Sequence, residues 1–280
     1  MQITPIKEHI IKALAQYQYL TNSQIMKLGI SDNIKVIRKH VKELSDTNRP
    51  FIGSIRYGAT QRMGKREYFH YLKKKGVRLL LDHLFYLPEQ IKAPKSKSPN
   101  ITTDYQHRKS TIDFQIAVSQ HMQQQDGKIL FFDTYYERIG NNRTGISRAK
   151  TAVERKQNYL LADALFMIQV PLADQYKKHL YAFEMHNTNS TKNIFEQLYR
   201  YLECLELGSI TLKYGFDRAS RILSVFEDAN KMHNTLKRIK AHSSFDNVRG
   251  LYLFKPLAEI VNDGICTKWI DASGKEVVFY

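Results

Sequence analysis

Two carboxylates in the second half of the chain, with a few polar neighbours, have the residue types that metal-assisted attack by water needs. Asp163 stands at the start of an apolar run, and Glu184 follows after twenty intervening residues, near the end of the next such run. His186 lies two residues further on, so strand alternation puts it on the same face as Glu184. Gln197 and Tyr201 are spaced i, i+4 and share one side of a helix. Carboxylates from neighbouring strands can share Mg²⁺, a hard cation that takes oxygen ligands and keeps several waters. A cation at the third position would orient or activate the attacking water. Here that position holds an imidazole, which unperturbed is mostly neutral near pH 7. Asp163 and Glu184 are thus candidate metal ligands only if the site is active. With His186, Gln197 and Tyr201 they form a candidate catalytic set that is expected to be vestigial. No other cofactor is expected.

The elements that must position these residues read as a mixed α/β domain. A helix is expected over 107–124, with Ile112, Ile116, Val118 and Met122 towards the core, followed by a strand over 128–137. Residues 138–151 (RIGNNRTGISRAKT) read as a basic, Gly/Asn-rich loop whose Arg138, Arg143, Arg148 and Lys150 would border the carboxylates. Strands are expected over 160–170 and 179–186, and an amphipathic helix over 191–206. Further strands are expected at 209–214, 220–226 and 249–254, with a helix near 228–241.

A second group of chemically suggestive residues lies near the N-terminus. Residues 1–100 hold 19 Lys/Arg against 7 Asp/Glu, which is +12 of the formal net charge of +16. Such a balance points to a polyanionic partner, nucleic acid first. Thr4-Pro5 reads as a helix start with a Thr cap, and Thr21 with Gln24 as a capping box. Ser31 or Asp32 is expected to cap a third helix, in which Ile34, Ile37, Val41 and Leu44 form one apolar stripe. Lys35, Arg38, Lys39 and Lys42 then occupy its opposite face. Segments 51–57 and 67–72 read as a β-hairpin whose turn adds Arg62, Lys65 and Arg66, and 73–87 as a helix. Helix, short helix, helix, hairpin, helix is the order of a winged helix-turn-helix, in which the third helix would enter the major groove. These seven cations are the candidate DNA-binding residues. Lys73, Lys74 and Lys75 read as a solvated helix start.

Residues 1–90 are therefore expected to form a DNA-binding domain, 91–103 a proline-bearing linker, and 104–280 the α/β domain. Two distant cysteines, Cys204 and Cys266, make no disulfide framework and suggest a reducing, cytoplasmic setting. The N-terminus does not read as a signal peptide, and the apolar run 77–87 is too short to span a bilayer. Zinc spacing and a phosphate-binding loop are not found, nor are the paired histidines of a relaxase.

The spacing of Asp163, Glu184 and His186 resembles the PD-(D/E)xK nuclease motif, and Gln197-x-x-x-Tyr201 resembles the QxxxY element of its RecB-related branch. Ala162 replaces the motif's proline and His186 its lysine. Over most of residues 5–205 the chain is similar to the replication-relaxation family of plasmid proteins. The likeness rests on the N-terminal element order, YFHYLKKKGVRLLL (68–81), His107, ADALF (162–166), YAFEMHNT (181–188) and Tyr201. This resemblance implies a winged helix joined to a PD-(D/E)xK-like α/β domain, acting at a plasmid origin in replication or conjugative mobilisation. The implied partners are duplex DNA and a relaxase or another relaxosome or replication protein, with no membrane. A Mg²⁺-dependent endonuclease using Asp163 and Glu184 is the alternative, and a winged-helix transcriptional repressor a further one. His107 reads locally as a satisfied core or interface histidine.

Overall fold

The structure, a computed structural model, describes residues 3–56, 66–94, 104–141, 146–172, 175–187 and 190–280. The chain divides into two compact units, Met1–Tyr105 and Gln106–Tyr280. The expected linker falls mostly outside the described residues; of its described part, Lys92 N–H donates to Ala15 O at 2.8 Å, so the chain is still tied to the first unit there.

In the first unit, α1 (Pro5–Tyr17) opens with Pro at its first turn, and its Ile10, Ile11 and Leu14 are fully buried. Thr4 occupies the cap position, but its hydroxyl makes no capping bond, contrary to expectation. α2 (Asn22–Lys27) carries the full capping box: Gln24 N–H donates to Thr21 Oγ1 at 3.2 Å, and Thr21 N–H to Gln24 Oε1 at 3.0 Å. α3 (Ile34–Ser45) is capped by Asn33 and not by Ser31 or Asp32. Asn33 Oδ1 accepts from Lys35 N–H at 2.9 Å, and Ser31 Oγ instead accepts from Asn33 N–H. Ile37, Val41 and Leu44 are its buried positions.

β1 (Ile52–Ile55) and β2 (Phe69–Leu72) pair antiparallel, a shorter ladder than the two segments read from sequence. α4 (Lys74–His83) packs against this pair, and a Cβ at Gly76 would collide with Phe51 O. Glycine is the residue that permits so close a backbone approach.

The second unit is mixed α/β. α5 (Tyr105–Gln124) precedes β3 (Lys128–Thr134), then come the hairpins β4 (Arg138–Asn141) with β5 (Ile146–Ala149) and β6 (Ala152–Glu154) with β7 (Tyr159–Leu161). β8 (Ala164–Leu172), β9 (Gln175–His186), α6 (Thr191–Glu206), α7 (Ser209–Tyr214), β10 (Arg221–Phe226), α8 (Ala229–Lys240) and β11 (Tyr252–Pro256) follow. The chain ends in α9 (Leu257–Asp263), β12 (Trp269–Asp271) and β13 (Glu276–Val277).

Seven strands form one sheet in the order β13-β12-β11-β10-β9-β8-β3. β3, β8 and β9 run antiparallel, while β9, β10 and β11 are parallel, with α6 and α8 as crossovers. Alternation along the strands divides the core between the two faces. Phe114, Val118 and Met122 of α5 pack with Phe166, Ile168, Tyr181 and Phe183 on one face. Ile194, Leu198 and Tyr201 of α6 and Met232, Leu236 and Ile239 of α8 pack with Leu165, Met167, Leu180 and Ala182 on the other.

Two expectations fail in this unit. The expected loop 138–151 contains the β4/β5 ladder, and 209–214 is a short helix instead of a strand. Gly208 and Gly215 bound that helix at φ +63° and +58°, and only Ile210 within it is buried. Among the described residues no helix is long and apolar enough to cross a membrane.

Candidate functional site

On α3 the burial of Ile37, Val41 and Leu44 fixes the helix's rotation, and that leaves Lys35, Arg38, Lys39 and Lys42 exposed. None of the four lies in an ion pair among the described residues. The one carboxylate inside the helix, Glu43, is turned to α1, where its Oε2 lies 2.8 Å from Lys7 Nζ and 3.4 Å from His40 Nδ1. The Lys7 ammonium, with His40 adding to it, holds the Glu43 carboxyl below its usual range. None of the four cations is therefore tied up in a direct ion pair among the described residues, although Glu43 and Asp46 line the same surface groove as Lys39 and Lys42. Arg66 is half-buried, its guanidinium 5.2 Å from the ring centroid of Tyr105, the last residue of the first unit. Arg62 and Lys65 lie outside the described residues.

The second cluster is brought together by the sheet. Asp163 sits just before β8, and Phe183 O accepts from its backbone N–H at 3.1 Å. This puts its side chain beside the end of β9, where Asp163 Oδ2 accepts from Met185 N–H at 2.7 Å. Asp163 Oδ1 lies 2.7 Å from His107 Nε2 on α5. His107 Nδ1 is 3.0 Å from Asn187 Oδ1, and Asn187 in turn donates to Glu227 Oε2 at 2.8 Å. His107 is thus an orienting partner of Asp163. It is 56 positions away in sequence, and no local spacing marks it.

Glu184 is fully buried, and each of its carboxyl oxygens has a donor from α6: Gln197 Nε2 on Oε2 and Tyr201 OH on Oε1. Their i, i+4 spacing aims both side chains at one carboxyl. Burial, reinforced by the nearby Asp163 carboxyl, raises the Glu184 pKa well above the carboxylate range, and the Tyr201 hydroxyl only partly opposes this. Tyr201 is itself raised, first by burial and then by Glu184. His186 is 4 % exposed, its Nε2 has no partner among the described residues, and its ring lies 4.6 Å from that of Phe226. Burial lowers its pKa to about 4, so it is neutral at pH 7 and supplies no cation where the motif has lysine.

The geometry bears on Mg²⁺ directly. Each oxygen of both carboxyls already has a protein partner, and Glu184 has no exposed surface on which a hydrated ion could sit. Among the described residues no group of three or more His, Cys, Asp or Glu is arranged to hold a metal. As placed, these residues do not fit the ion, and what the arrangement does is link α5, β8, β9 and α6.

The neighbouring basic segment divides by role. Lys150 Nζ pairs with buried Asp133 at 2.6 Å and lies 3.8 Å from Glu137, so it is part of the structure and not a free surface cation. Arg138 donates to Ser147 Oγ and O, both at 2.8 Å. Arg148 is exposed, 4.7 Å from the Tyr159 ring centroid. Arg143 lies outside the described residues. No protein-family model, curated protein or solved structure matches the chain.

Proposed function

We propose that this protein is a duplex-DNA-binding accessory factor that acts at a plasmid origin, in conjugative mobilisation or replication, and cleaves no DNA itself. The observation that carries this reading is the exposed face of α3, where Lys35, Arg38, Lys39 and Lys42 stand without a carboxylate partner among the described residues. Duplex binding draws on exposed cations that neutralise phosphates and release the counterions condensed on the DNA. The order α1-α2-α3-β1-β2-α4 supports reading the first unit as a winged helix, with α3 in the major groove.

For the second unit, the succession α5-β3-β8-β9-α6-β10 supports a PD-(D/E)xK-like core, since Asp163 precedes one central strand and Glu184 lies on the next. A buried Glu184 and a neutral His186 support a non-catalytic role, in which the unit offers a surface to a relaxase or replication protein. The plasmid setting comes from the sequence resemblance. The fitting test is a paired retardation and cleavage assay on supercoiled plasmid carrying the protein's own origin region, with and without Mg²⁺. Salt-sensitive retardation of intact plasmid is the expected result. Metal-dependent nicking that disappears in Asp163→Ala would overturn the non-catalytic reading in favour of an endonuclease.

A further inference from the structure

The α6/α8 side of the second unit carries a cationic and aromatic surface that the carboxylate cluster does not use. Phe195 and Tyr199, spaced i, i+4 on α6, have ring centroids 6.1 Å apart. His242, just beyond α8, approaches them at 5.5 and 5.4 Å. Beneath the three lies fully buried Phe245, 5.9 to 6.1 Å from each. Tyr199 is 43 % exposed, and Phe195 and His242 are half-buried, so the platform has an open upper side.

Cations border it. The Arg238 guanidinium is 5.9 Å from the Phe195 ring centroid, and Lys231, seven residues earlier, lies on the same flank of α8. Ala229–His242 also holds Lys237 and Lys240 and contains no Asp or Glu. Of the carboxylates nearby in sequence, Glu196 is 3.9 Å from Lys192 and Asp246 is 2.6 Å from Arg249, while Asp228 caps α8 through Asn230 N–H and Glu227 accepts from Asn187 and Gln106. Tyr199 also forms part of the wall of a cavity of about 710 Å³ that combines apolar Leu202 and Val248 with Ser244 and Asn247, and whose charged residues are Glu206, Asp217 and Arg218. Ser220 Oγ, also in its wall, is buried with no hydrogen-bond partner among the described residues.

We propose that this face binds an unpaired nucleic-acid strand, with a base stacked on Tyr199, which Phe195 and His242 support from the side, phosphates along Lys231 and Arg238, and one base edge turned into the cavity. Every base has a face that an exposed ring can cover, and flanking cations track the backbone without reading sequence. Bases in a duplex are stacked on one another and cannot reach such a platform, so the surface selects single strands. It shares no residue with α3 and does not depend on duplex binding there.

The experiment uses the full chain and a second full chain carrying Lys35, Arg38, Lys39 and Lys42→Ala. The probes are oligo(dT) and oligo(U) of about 16 nucleotides, each with one 2-aminopurine, whose fluorescence is quenched on stacking. Both chains are expected to bind and quench at least one probe. Tyr199→Ala should weaken that binding by about tenfold and abolish the quench, while Tyr199→Phe keeps both. Arg238→Ala should make log K fall less steeply with log salt concentration, by about 0.7 in slope. Failure of both probes to bind at low salt would overturn the proposal. So would binding that vanishes in the α3 variant and is indifferent to Tyr199→Ala.

Discussion

On α3, four cations stand in solvent without carboxylate partners among the described residues. Around Asp163, in contrast, ionisable and polar side chains point inward and satisfy one another. Both arrangements are built on helix periodicity, but they have opposite consequences. An exposed cation can meet a phosphate without breaking a bond to the protein, and the duplex releases counterions as it does so. A buried carboxyl held by a tyrosine and a glutamine would have to break those bonds and be hydrated before it could take a new partner. The first arrangement is suited to binding, whereas the second is suited to holding elements together. Lys150 shows that net charge alone does not make this distinction, because it belongs to a basic segment yet is held by Asp133.

The largest effect that would sharpen this contrast is on DNA. Replacing Lys35, Arg38, Lys39 and Lys42 together with Ala should weaken duplex binding by about 100-fold or more at moderate salt, with the thermal unfolding midpoint nearly unchanged. The converse variant is Glu184→Ala, which leaves the buried Tyr201 hydroxyl and the half-buried Gln197 amide without their acceptor. It should lower stability by about 3 kcal/mol in urea unfolding while leaving duplex affinity near wild type. If it abolished DNA binding in a protein that remained folded, the two regions would not be separable in role.

A pH experiment probes the first unit. His70 is 3 % exposed, shares a 2.8 Å contact with Ser54 Oγ, and is lowered by burial to about 4 from an ordinary 6.5. Between those values the unfolded chain binds the proton and the folded chain does not. The contribution of His70 is therefore full above pH 6.5 and is lost, by roughly 3 kcal/mol, as the pH drops towards 4. Denaturant titrations should show this slope in wild type and a flatter one in His70→Asn. The smallest effect is that of Thr21→Ala, which removes half of the capping box and should cost about 1 kcal/mol.

Sequence periodicity exposes the elements with a one-sided apolar stripe. α3 and α6 emerge from it directly, and the i, i+4 spacing of Gln197 and Tyr201 places both donors on the side that meets Glu184. The β4/β5 ladder is not legible, because none of the hairpin's residues whose burial is described is buried, Ile139 being 47 % accessible, so no buried face imposes alternation on them. Residues 209–214 are rich in residues that favour strands, yet left-handed glycines at both ends close them into a turn of helix. Asn33 outcompetes Ser31 and Asp32 as the cap, a choice among adjacent candidates that pattern alone does not rank. The role of His107 is hidden because its partner is supplied by the tertiary fold: α5 lays it against Asp163 with no signal in the residues around either.

The most direct test of the central claim is the slope of log K against log salt concentration for duplex binding, measured for wild type and for the four-residue α3 variant. Each phosphate that α3 no longer neutralises should take about 0.9 off the slope. The variant is expected to be shallower by about 3 to 4, the signature of cations on α3 displacing counterions from the duplex. An unchanged slope would contradict the account and move the DNA-binding surface off α3.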